Sequence, residues 1–147
     1  MGFQDNPNVI QWRIHLKASP ENVFGFLSTD EGRARFWAES VSEADGYIRF
    51  NFPDGQTWQG RILTVQPNRV FKVEYYGGSI TTFELTPDST GGTEVTLTDE
   101  GVEPVDRCEV IAGWVSVLLA MKAAVDYSVD VRNHDRQRTW NTGYADN

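Results

Sequence analysis

The side chains that could do chemistry are few and scattered. The single cysteine, Cys108, has Glu109 beside it and no histidine close in sequence, so no thiolate–imidazole pair forms locally. His15 falls on the polar side of an alternating segment, with no carboxylate or cysteine near it in sequence, and reads as a solvated histidine. His134 is far from it along the chain, so a metal has no visible ligand set, and neither a metal nor another cofactor is expected. Gly77-Gly78 and Gly91-Gly92 lie between strand-like runs and lack the Lys-Ser/Thr of a phosphate loop. No nucleophile–histidine–carboxylate pattern stands out, so no catalytic residue is assigned. Arg132, His134, Arg136 and Arg138 are interspersed with Asp130 and Asp135, the pattern of a solvated tail rather than an anion site.

What the chain concentrates instead is ring surface, with 5 Trp, 5 Tyr and 8 Phe in 147 residues. That supply suits either a bulky interior or a pocket that binds an apolar molecule. Alternation and helical spacing nominate Trp37, Trp58, Phe71, Tyr75, Phe83, Leu97, Trp114, Leu118 and Met121 as lining residues. Arg61, Thr81 and Asp99, with Tyr75, are the polar candidates among them. For any one of these residues ordinary core is the competing reading. The set carries more weight, because one helix rarely fills the concavity of a curved sheet.

The elements that must position them are legible from periodicity. Val9 to Lys17 alternates as a half-buried strand, with Ile10, Trp12, Ile14 and Leu16 on one face. Ser19-Pro20-Glu21 caps and starts a helix, and Thr29-Asp30-Glu31 starts a second that ends near Phe36-Trp37. Strands follow at 46–52, 57–66, 70–76, 80–86 and 93–99, with turn residues between them and Gly60 marking a bulge or bend. The longest segment with no proline and a single glycine, Arg107 to Val129, is a helix after an Asp106 cap. Val110, Ile111, Trp114, Val117, Leu118, Met121 and Val125 form its apolar stripe. Val115 and Leu119 lie off that stripe, which raises a homodimer burying them as one expectation. The order gives an α+β fold of about six or seven antiparallel strands, with two short helices after the first strand and a long C-terminal helix over the sheet.

A formal net charge of −8 opposes binding to nucleic acid or anionic membranes. The first nine residues have no signal-peptide layout, and no run is read as a membrane span. With one cysteine the default is a soluble cytoplasmic protein.

Ordered signatures run through the chain: Ala18-Ser19-Pro20-Glu21-Asn22-Val23-Phe24, Phe36-Trp37-Ala38, Pro53-Asp54-Gly55, and Gly60 followed by Val65-Gln66-Pro67-Asn68-Arg69-Val70. Thr82-Phe83-Glu84-Leu85-Thr86, Gly91-Gly92-Thr93-Glu94-Val95-Thr96-Leu97, and Gly113-Trp114 with Leu118, Leu119 and Lys122 complete them. In order and spacing they resemble the START-related (SRPBCC) helix-grip superfamily, and within it the branch named after the activator of the Hsp ninety ATPase. The resemblance implies a sheet curved around the C-terminal helix over a cavity that takes lipids, polyketides or other apolar molecules. The family pattern has Trp then Phe where this chain has Phe36-Trp37, which bears on the cavity mouth. The expectation is a stand-alone domain over residues 1–130 and a polar tail over 131–147. Its function is to bind a small apolar, aromatic or lipid-like molecule; the alternatives are a cyclase or hydrolase of the same fold, or a homodimeric interaction protein.

Overall fold

The computed structural model describes residues 4–147, so residues 1–3 of the expected non-signal N-terminus lie outside it. Seven strands form one antiparallel sheet. They are β1 (Val9–Leu16), β2 (Ser40–Ala44), β3 (Tyr47–Asn51), β4 (Thr57–Gln66), β5 (Val70–Glu74), β6 (Ile80–Pro87) and β7 (Thr93–Glu100). Their spatial order is β1-β7-β6-β5-β4-β3-β2. The first strand therefore pairs with the last, Val9 opposite Glu100, while the rest follow as a meander. β2 does not figure among the strands read from the sequence. Its sequence SVSEA is largely exposed on the sheet edge, so it carries no apolar alternation to announce it. Asp45-Gly46 turns β2 into β3 with positive φ at both residues, the two-residue turn whose twist matches a hairpin.

Two short helices fill the connection after β1. In α1 (Pro20–Ser28) the Ser19 hydroxyl accepts from the Asn22 N–H at 3.3 Å, as its sequence predicts. Thr29 caps α2 (Asp30–Ala34) in the same way, accepting from Gly32 N–H at 3.0 Å. Arg33 on α2 is buried to 1% exposure. Its guanidinium donates to the Leu27 carbonyl (2.6 Å), Glu43 (2.8 Å) and Asp30 (3.2 Å), and lies over the Phe71 ring. Enclosed and paired through Nε and Nη1, this cation ties α2 to the edge strand β2.

The long helix α3 spans Arg107–Tyr127 and ends two residues before the sequence boundary. Ser128, left-handed at φ 54°, stops it, its N–H reaching the Ala123 and Ala124 carbonyls. Asp106 occupies the N-cap position, but its side chain caps nothing. Trp114, Leu118 and Met121 are buried as the stripe predicts, with Ala120 and Ala124 beside them. Asp126 anchors the far end of α3 by accepting the Lys17 and Ala18 backbone N–H groups. The Trp12 indole donates to the Ile111 carbonyl at 3.2 Å. Both contacts hold α3 close to β1 and its exit. By length and apolarity this helix would also suffice to cross a membrane, which the sequence reading did not register.

Candidate functional site

With α3 held toward β1, its other flank faces β3, β4 and the end of β5 across a gap that rings partly fill. Trp37 is the hub. Its ring centroid lies 4.8 Å from Phe50, 5.3 Å from Phe83, 5.5 Å from Tyr75 and 6.0 Å from Trp114. Tyr75 continues the cluster to Trp58 at 5.4 Å, which packs on Phe52 at 4.1 Å. β4 can approach β5 here because Gly60 points inward, where a Cβ would overlap the Glu74 carbonyl. The register slips just beyond, between Ile62 and Thr64, close to the bend expected at Gly60.

Over this cluster opens a cleft of about 650 Å³. Its floor is Trp37, Trp58, Tyr75 and Trp114. One wall is the turn after β3, from Phe52 to Gln56; another is the α3 face carrying Val110, Gly113, Val117 and Ala120. The third wall is the C-terminal segment, which supplies Val131, Arg132, Trp140 and Asn147. Residues 129–147 run back along α3 as a strap. Arg132 donates to the Ala34 and Ala38 carbonyls at 2.8 and 2.9 Å, Ser116 donates to the Ala145 carbonyl, and Trp140 stands over Gly113. Trp140 is half-buried against α3, whereas Tyr144 remains exposed.

The floor's polar groups are mostly paired. Trp37 Nε1 donates to the Tyr75 hydroxyl at 3.0 Å, and the Trp58 N–H acts on the same oxygen from outside proper hydrogen-bond geometry. The Tyr75 oxygen is thus an acceptor, and its own proton has no acceptor among the described residues. Desolvation under the rings pushes its phenol well up, so it stays a neutral donor. Beneath Trp114 lies Asp99, 1% exposed, accepting from Trp114 Nε1 at 2.9 Å and Thr81 Oγ1 at 3.1 Å. Burial raises its carboxyl above the ordinary range, against those donors.

The structure divides the nominated residues. Trp37, Trp58, Tyr75 and Trp114 meet at the cleft, whereas Phe71, Phe83, Leu97, Leu118 and Met121 are buried outside its lining, as solid core. Thr81 and Asp99 lie under the floor and do not line it. Arg61 is corrected: it alternates onto the outer face and pairs with Glu74 at 3.0 Å. His15 is exposed on the polar face as its alternation predicts, and the fold adds a partner remote in sequence, Asp88 in the turn after β6, at 2.6 Å from its Nε2. Val115 lines the cleft beside Leu119, which is 56% exposed. The strap's part in the cleft was missed, and the one available signal was Trp140 in an otherwise polar tail. Cys108 is exposed, and no cluster of metal-ligating side chains occurs among the described residues.

The sequence profile described as activator of Hsp90 ATPase homolog 1-like protein matches residues 17–126. The chain belongs to that family. The strap lies wholly beyond the matched stretch. No curated protein sequence matches significantly. Among solved structures, the Aha1 dimer from Colwellia psychrerythraea is similar at 26% identity and a TM-score of 0.72, covering 81% of this chain and 96% of that one. A Staphylococcus saprophyticus protein aligns at 23% identity and 0.72, covering 84% and 96%. A Chromobacterium violaceum protein aligns at 27% and 0.64, covering 82% and 99%. The α+β helix-grip architecture of the family is the architecture of this chain.

Proposed function

We propose that this family member is a soluble, cytoplasmic binding protein for a small aromatic or apolar molecule, held in the cleft between α3, the strap and the turn after β3. The observation that carries the reading is the ring-lined cleft itself, whose about 650 Å³ is the size of small-molecule sites. The unclaimed Tyr75 proton adds a hydrogen bond for a ligand oxygen. Binding rather than turnover fits best. Neither histidine lines the cleft, and its Ser116 hydroxyl is committed to the Ala145 carbonyl. Its carboxylates at Asp54, Asp106 and Glu109 have no histidine or nucleophile in hydrogen-bond reach among the described residues.

Three of the five tryptophans form the floor and a fourth stands in the strap wall, so occupancy should change intrinsic fluorescence. Calorimetry with naphthalenemethanol should show saturable binding, and Tyr75→Phe should weaken it by about 1 kcal/mol, roughly fivefold. No heat and no fluorescence change with this or a broader aromatic and lipid panel would remove the reading. A second reading rests on Leu119: its exposure suits a homodimer through α3, the state named for the Colwellia relative. Light scattering after size exclusion should then give a dimer for wild type and a monomer for Leu119→Glu; a monomer in both ends that reading.

A further inference from the structure

The charge around the cleft narrows what it would take. This inference rests on the binding reading above and specifies its ligand class. Asp54 contributes a carboxylate from the turn after β3, and Asp106 and Glu109 contribute two from the start of α3. The Asp106 side chain caps nothing, and neither its carboxylate nor that of Glu109 has a hydrogen-bond or ion-pair partner among the described residues. The one arginine of the lining, Arg132, is spent on Asp130 and two backbone carbonyls. The positive end of α3 offsets about half a charge there. Arg107, whose guanidinium is turned to the Gln4, Pro7 and Val9 carbonyls, offsets more, so the two unpaired carboxylates leave a modest negative balance at the rim.

We propose that the cleft selects organic cations: molecules with an aromatic or apolar body for the floor and an ammonium group that reaches Asp106 and Glu109. The ring body stacks among the tryptophans, and the cation stays at the partly wet rim, where full desolvation is avoided. A carboxylate-bearing analogue meets repulsion from the same groups.

The test compares three probes of one shape on the full chain by calorimetry: naphthylmethylammonium, naphthalenemethanol and naphthoate. The ammonium is expected to bind about tenfold more tightly than the alcohol at low salt, with naphthoate weakest, and the gap should shrink as salt rises. Glu109→Gln and Asp106→Asn should each reduce ammonium affinity about threefold to tenfold and leave the alcohol unchanged. Glu84→Gln, at an exposed position of β6 outside the cleft lining, should change neither, which separates a local effect from the overall negative charge. Equal or stronger binding of the alcohol or of naphthoate overturns this inference while leaving the binding reading intact. If Glu84→Gln acts as strongly as Glu109→Gln, the inference also falls. No binding of any probe removes both.

Discussion

Asp99 sits where a carboxylate is least favoured as an anion, under an indole and between strands. Trp114 and Thr81 donate to it, yet burial outweighs them and its folded-state pKa is raised above 3.8. The unfolded chain therefore releases this proton first as pH rises. Its contribution to stability is full below pH 3.8 and is lost as pH climbs to the folded-state value. Asp99→Asn keeps the shape and an acceptor for one donor while removing the titration. Urea midpoints measured at a series of pH values should fall less steeply for the variant than for wild type above pH 3.8; parallel curves would refute the assignment. The sequence nominates Asp99 as a polar candidate, but alternation alone could fix neither its face nor the indole that seals it beneath the floor.

At the scale of elements, α3 and the strap form two facing walls of the cleft. Gly113 faces the strap across the cleft, and a Cβ there would meet only the Trp140 ring, at 3.9 Å. Gly113→Ala should therefore stabilise the protein by about 0.5–1 kcal/mol through helix propensity, read as a higher thermal midpoint. Gly113→Leu should fill the space between the walls and abolish naphthalenemethanol binding while the fold persists by circular dichroism. The strap's own fastening centres on His134, whose two ring nitrogens lie 2.7 Å from Glu39 and from Asp130. Serving both carboxylates requires the imidazolium, and those hydrogen bonds, Glu39 first, raise its pKa above 6.5. The fastening is complete below pH 6.5 and is lost as pH rises through the folded-state value. Intrinsic hydrogen-exchange rates being corrected for pH, residues 130–146 should lose protection in mildly alkaline buffer while β7 does not. His134→Gln should make strap protection insensitive to that change.

Most of this architecture was legible in the sequence where one face of an element is dry. β1, β3, β6, β7 and α3 announce themselves because alternate or every third and fourth side chain is apolar. β2 buries only Val41, and that partly, and the strap is secured by backbone carbonyls, charged pairs and one indole, so neither leaves a periodic trace. The cleft's position was unreadable for a related reason. Pattern identified inward-facing rings but not which of them interlock. Trp37, Tyr75 and Trp114 interlock above Phe83, displacing the free volume outward, toward the strap.

For the whole molecule, the composition of that third wall has a thermal consequence. Sheet and α3 share a continuous apolar core, whereas the strap contributes a buried Thr139, a half-buried Trp140 and otherwise exposed or part-exposed side chains. Segments held mainly by solvent-accessible hydrogen bonds open at lower free energy than the body they rest on. On heating, the strap should peel away while the seven strands remain paired. Probe binding should then disappear several degrees below the main unfolding transition, and a scan following Trp fluorescence should show a pretransition that far-ultraviolet circular dichroism does not. A single coincident transition by both signals would mean that strap and sheet melt as one body. The protein would thus have a working temperature narrower than its folded one, set by its last eighteen or so residues.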